Sequence, residues 1–188
     1  KYFYTANPFD ESREETRAYW TQGAFIHEND ASRTEFTASF KKSTDEFVFN
    51  PLFPANNHTI QRVNASLFQQ RDWKGIKLNY GIQTDWQDIE SNDRGDHTRL
   101  SNAAFILGHK TIDQLSLNGG LRLESSEQIG IQLIPQLNVA YRENQTVLRS
   151  SIGRAIRQAD FTEQFNNNNT ANVLALRSVG NPDLESEN

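Results

Sequence analysis

The chain has 188 residues, with 19 Lys and Arg against 24 Asp and Glu, and its formal net charge of −5 at pH 7 does not suit a strongly basic nucleic-acid-binding surface. It contains neither Cys nor Met, which excludes disulfides, thiolate metal sites and a Cys nucleophile. Hydrophobic residues make up 36%, and no apolar run reaches the roughly 18 residues of a membrane-spanning helix, a limit that does not apply to transmembrane strands of about 9–11 residues.

The expected elements are strands, read from period-two alternation, which puts every second side chain on one face. In chain order they fall at residues 2–6, 18–26, 34–40, 63–67, 74–86, 100–107, 113–124, 133–141 and 147–156, about nine in all. In 74–86, Ile76, Leu78, Tyr80, Ile82 and Trp86 form an apolar row, and Lys77, Asn79, Gln83 and Asp85 a polar one. In 113–124, Leu115, Leu117, Gly119, Leu121 and Leu123 share one face, opposite Gln114, Ser116, Asn118 and Arg122. The pattern repeats at Phe36, Ala38 and Phe40, at Val63, Ala65 and Leu67, and at Leu133, Leu137, Val139 and Tyr141. Segments 18–26, 100–107 and 147–156 are apolar enough for strands, but their facing stays open. The few helix signals lie after Arg157.

The joins carry a second pattern. Long polar ones at 8–15, 43–57, 87–96 and 158–185, with a medium one at 125–130, alternate with short ones at 27–32, 70–72, 109–112 and 142–145. In an up-and-down antiparallel meander, alternate joins lie at opposite ends, so long loops collect at one rim and tight turns at the other, as in an outer-membrane barrel. A ten-residue strand tilted about 40° covers roughly 25 Å along the barrel axis, the height of the apolar band. The expected fold class is therefore all-β, an antiparallel meander belonging to a larger barrel. A soluble all-β ligand-binding domain, for example one that binds carbohydrate, is the competing class.

The runs "LSLNGGLRLE" at 115–124, "IPQLNVAYREN" at 134–144, "LRSSIGRAIRQADFTEQF" at 148–165 and "GNPDLESE" at 180–187 resemble the later part of the barrel of TonB-dependent outer-membrane receptors, in style those of Bacteroidetes-type bacteria. In that family a strand ending in Arg leads into a loop with an aromatic and a Glu, and an Asn-Pro-Asp-Leu turn precedes a Glu that opens the next strand. The matching positions are Arg157, Phe161, Glu163, Asn181, Pro182, Asp183, Leu184 and Glu187. Two prolines common in the family are absent, at Gln158-Ala159 and at Ser186. The resemblance implies a 22-strand transmembrane barrel around an N-terminal plug, located in the bacterial outer membrane. Such a receptor admits a scarce nutrient such as a ferric siderophore or cobalamin, is driven by the TonB complex acting through the plug, and is not an enzyme. Residues 1–188 would then be part of that barrel, with the plug and the C-terminal strands outside this chain, and the ends at Lys1 and Asn188 suggest a piece of something longer.

Gln83, Asn118, Arg122, Gln136, Asn138 and Arg142 are expected to line the lumen, since amides and guanidinium groups suit a wet interior. Asp85, Asp88, Glu90, Asp93 and Asp96 cluster in or beside a long join, but the spacing fails the EF-hand pattern and Arg94 interrupts it, so a solvated loop is expected in place of a Ca²⁺ site. The tripeptide Arg94-Gly95-Asp96 matches an integrin ligand only as a string. His27, His58, His97 and His109 are dispersed, without metal-ligand spacing. No Ser/His/Asp arrangement and no phosphate-binding glycine motif is present, and neither a cofactor nor a metal is expected. The candidate ligand contacts from the long joins are His58, Asp93, His97, Asn167 and Asn168, the last two from the Asn run 166–169.

Overall fold

A computed structural model describes residues 11–48, 50–167 and 179–187. It contains eight strands: β1 (Arg13–Asn29), β2 (Ser32–Val48), β3 (Asn56–Trp73), β4 (Ile76–Ser91), β5 (His97–Ile112), β6 (Leu115–Ser126), β7 (Gly130–Glu143) and β8 (Thr146–Gly153), followed by the short helix α1 (Phe161–Phe165). They form one sheet in sequence order, each strand antiparallel to its neighbours. The expected meander is found, and the ninth strand expected at residues 2–6 lies outside the described residues. Among the described residues β1 pairs only with β2 and β8 only with β7, so the sheet has two open edges.

Opposed residues on neighbouring antiparallel strands project to the same side. The register therefore joins Phe25, Phe36, Leu67, Ile82, Ala104, Leu123 and Leu133 into one row across β1 to β7. On β4 this apolar face runs from Ile76 to Trp86, about ten residue steps, or roughly 25 Å along an axis inclined about 40° to the strand. Towards β8 the apolar residues shift to the turn end, at Ile112, Leu115, Tyr141 and Leu148, as expected of a band crossing tilted strands. Among the described residues nothing covers this face: Ile82 is 58% and Leu123 46% exposed. The opposite face is polar, with Gln83, Asn118, Arg122, Gln136, Asn138 and Arg142 all on it, as the alternation predicts.

Two-residue turns join the strands at one end, at 30–31, 74–75, 113–114 and 144–145. Lys74 and Gly75 both have positive φ, 50° and 75°, the type I′ geometry whose twist matches that of paired strands. Asp113 and Asn144, the first residues of their turns, are also left-handed, at 50° and 52°. The joins expected at 70–72 and 109–112 are instead strand, and the reversals come one to four residues later, where Lys74, Gly75 and Asp113 take these conformations. At the other end the strands run on past the apolar band, so much of the expected loops at 43–57 and 87–96 is paired backbone. Those ends are rich in Thr, Asp, Glu and Gln, which carry no apolar alternation yet still complete the backbone ladder. The described connections there shrink to residues 50–55, 92–96 and 127–129.

Candidate functional site

The long-strand end holds two packed assemblies, both on the polar face. The first is a knot at the tips of β3, β4 and β5. His58 on β3 and Ser91 on β4 are register partners, and His58 Nδ1 lies 2.8 Å from Ser91 Oγ. Ser91 Oγ also accepts from the backbone N–H of Asp93 and of Arg94, at 3.1 and 2.9 Å, and Asp96 accepts from the Ser91 N–H. Asn92 ties the knot to the β2–β3 connection, accepting from the Asn57 N–H at 2.9 Å and donating to the Ala55 carbonyl at 2.8 Å. Gly95, at φ 83°, closes the turn by donating to the Ser91 carbonyl at 2.9 Å. Both His58 and Asp93 are buried. His58 projects beyond the apolar band, and burial, assisted by Arg94, pushes its imidazole below the ordinary histidine range, while Asp93 and Asp45 oppose that shift.

The second assembly is the segment after β8, which folds back over β5. The Asp160 carboxylate accepts from the Glu163 N–H at 2.8 Å, and the Glu163 carboxylate accepts from the Asp160 N–H at 2.9 Å, a capping box that starts α1. Arg157 grips both ends of the segment. It donates to the two Glu163 oxygens at 3.0 Å and to the two Glu187 oxygens at 3.1 Å, and its backbone bridges to that of Glu187. Hydrogen bonds from Arg157 hold both carboxyls below the usual range, and those same bonds raise the guanidinium. Asn181 opens the return turn, its side chain accepting from the Asp183 N–H and its carbonyl from the Leu184 N–H. The Pro182 and Leu184 carbonyls accept from Gln164 and Gln128. At Gly180 an added Cβ would meet the Gln164 carbonyl carbon and oxygen and the Phe165 nitrogen at 2.5 Å, so this position needs a residue without a side chain.

His97 joins the two assemblies. Its ring stacks on Phe165 with centroids 3.5 Å apart and planes 11° from parallel, and its Nε2 lies 2.8 Å from the Arg94 carbonyl. Arg99, next on that face of β5, lies over the Phe161 ring at 4.6 Å and donates to Gln164 at 2.6 Å. Below, Asp85 accepts from Arg62, Asn64 and Gln87 at 2.7, 2.9 and 2.6 Å, and Arg122 donates to Gln83 and Glu124 at 2.7 and 2.9 Å. The wall is thus a network of fixed donors and acceptors.

The acidic cluster is divided, with Asp85 on the polar face, Asp88 and Glu90 on the other and Asp93 and Asp96 in the turn. Among the described residues no three His, Asp or Glu side chains converge where they could hold a metal ion. Of the candidate ligand contacts, His58, Asp93 and His97 meet in or beside the knot, with His58 and His97 engaged in holding it. Asn167 is buried at the end of α1, with φ 59°, and Asn168 lies outside the described residues. Sequence reasoning missed Ser91, Arg94, Arg99 and Gln164. The Asp160-x-x-Glu163 spacing was a readable capping signal, whereas nothing local marks Ser91 as the partner of His58.

The family described as TonB dependent receptor-like, beta-barrel matches residues 2–188. No curated protein matches the chain. Among solved structures, the siderophore receptor PirA from Pseudomonas aeruginosa is similar in fold, with a TM-score of 0.74 and 15% identity over 92% of this chain. The chain spans 35% of the PirA chain. With a family match over almost its whole length and an unclosed meander of the corresponding fold, the chain belongs to the TonB-dependent receptor-like β-barrel family.

Proposed function

We propose that this chain is part of the wall of an outer-membrane receptor that takes up a ferric siderophore, with the apolar face in lipid and the polar face lining a lumen filled by a plug that contacts TonB. The observation that carries the reading is the uncovered apolar band on β4, of about the height of a bilayer's hydrocarbon band, backed by a face of amides and ion pairs. A soluble sandwich would bury Ile82 and Leu123 beneath a second layer. The rim formed by residues 50–55, 92–96 and 157–167 is the entry side, and the knot and α1 shape the surface that a ligand meets. Siderophore is preferred to cobalamin because the similar solved structure is that of a siderophore receptor.

The test uses the whole receptor produced in a Gram-negative host. It should fractionate with the outer membrane, show heat-modifiable mobility and support TonB-dependent uptake of radiolabelled ferric siderophores. Uptake of labelled cyanocobalamin alone would overturn the choice of cargo, and recovery as a soluble, heat-insensitive protein would overturn the membrane reading.

A further inference from the structure

The hydrogen bonds of the knot fix its protonation state. A hydroxyl has two acceptor lone pairs and one proton. Both lone pairs of Ser91 Oγ are taken by the Asp93 and Arg94 N–H groups, so its proton goes to His58 Nδ1, which must be unprotonated. The Arg94 carbonyl is an acceptor only, so His97 Nε2 carries its proton. One neutral imidazole therefore sits at the start of a continuous chain: His58, Ser91, the Arg94 peptide, His97, Phe165, α1. The charged groups acting on His58 are Asp45 from β2 and Asp93 and Arg94 from the turn, and Asp96, which accepts from the Ser91 N–H, lines the same cavity. From β1 the register brings up uncharged Thr16, which donates to Asp45 at 2.8 Å.

We propose that the turn 92–96 is a proton-operated latch: neutral His58 holds it closed, and protonation of His58 releases the turn and, through the His97–Phe165 stack, loosens α1 from the rim. An imidazolium is a donor at both nitrogens. It would present an N–H to an oxygen whose lone pairs are already filled and leave the Ser91 proton without its acceptor, with both side chains buried. The sign follows from the neutral form being the one that fits. Closure is complete above the ordinary histidine value of about 6.5 and is lost as pH falls through that value towards the lower one of the closed state. This goes beyond the uptake reading and does not depend on the cargo.

The experiment is amide hydrogen exchange on the whole receptor in detergent micelles between pH 7.5 and 5, corrected for the intrinsic pH dependence of exchange. Protection of residues 91–97 and 161–165 should fall together in the wild type as pH drops through the ordinary histidine range, and return together when pH is restored. His58→Asn, whose side-chain oxygen can accept from Ser91 without titrating, should stay protected throughout. Ser91→Ala should be unprotected at every pH while the barrel remains heat-modifiable. Constant wild-type protection across the range, or the same acid transition in His58→Asn, would overturn the latch. Loss of protection at 91–97 with 161–165 unchanged would overturn its coupling to α1.

Discussion

Replacing Ile82 by Arg tests the apolar band at the point where it matters most. The band on β4 runs from Ile76 to Trp86, so its middle lies near residue 81, and each residue advances roughly 2.5 Å along the barrel axis at a 40° tilt. Ile82 is thus about 2.5 Å from the middle and projects from the uncovered face. A lipid-facing Arg near the midplane costs about 2–4 kcal/mol, a change of roughly 30- to 700-fold in the folding equilibrium. Glu90→Arg, on the same face of the same strand but about 22 Å from the middle, should cost about 0–1 kcal/mol. Asn79→Lys, within the band but on the polar face, should also be mild. The assay is reversible denaturant titration of the whole receptor refolded into lipid bilayers. Equal costs at 82 and 90, or a cost below about 0.5 kcal/mol at 82, as for an ordinary surface substitution, would refute the assignment of this face to lipid.

Other consequences can be checked directly. Arg157→Lys should free the segment after β8, because an ammonium cannot grip two carboxylates in the forked way seen here, and limited proteolysis should then cut near residues 158–167 faster. Acid should do the same: the Glu163 and Glu187 values are depressed by Arg157, so the clasp's contribution is present above the ordinary carboxylate range of about 4.3 and lost as pH falls through the lower folded values, which the same cleavage rate would report. Gly81→Val should destabilise by about 1–3 kcal/mol in the bilayer titration, since a Cβ there would press on the Leu67 carbonyl and come within 2.9 Å of Phe105 Cζ. Asp85→Ala strips the shared acceptor from Arg62, Asn64 and Gln87 and should cost about 1–3 kcal/mol in the same measurement, with Asp85→Asn intermediate.

The strands were readable wherever burial against a single apolar medium imposes alternation, as along Ile76 to Trp86 or Leu115 to Leu123. The signal fades where both faces meet water. Thr44, Asp45 and Glu46 continue β2 through backbone pairing and polar cross-strand contacts such as Thr16 to Asp45, so no apolar alternation marks it. Turn positions were misplaced for a related reason: Lys74 and Asp113 take left-handed backbone conformations that only the two-residue closure demands. The Asp160 and Glu163 capping box needs only a three-residue spacing, so its signal lies in the local sequence, whereas the Arg157–Glu187 contact spans 30 positions. The knot was not legible, because His58 and Ser91 lie 33 positions apart and meet through register, so two histidines that read as free loop groups prove to be internal ties.

Strand lengths are unequal around the sheet. β1 to β5 have 16 to 18 residues, whereas β6, β7 and β8 have 12, 14 and 8. With a common floor at the tight turns, β3 rises roughly 15 Å higher than β6. The mouth is therefore a parapet on one flank and a low sill on the other, and α1 leans against the parapet at β5. In the receptor proposed above, this step would leave the wall lowest over β6 to β8 and open a sideways approach there.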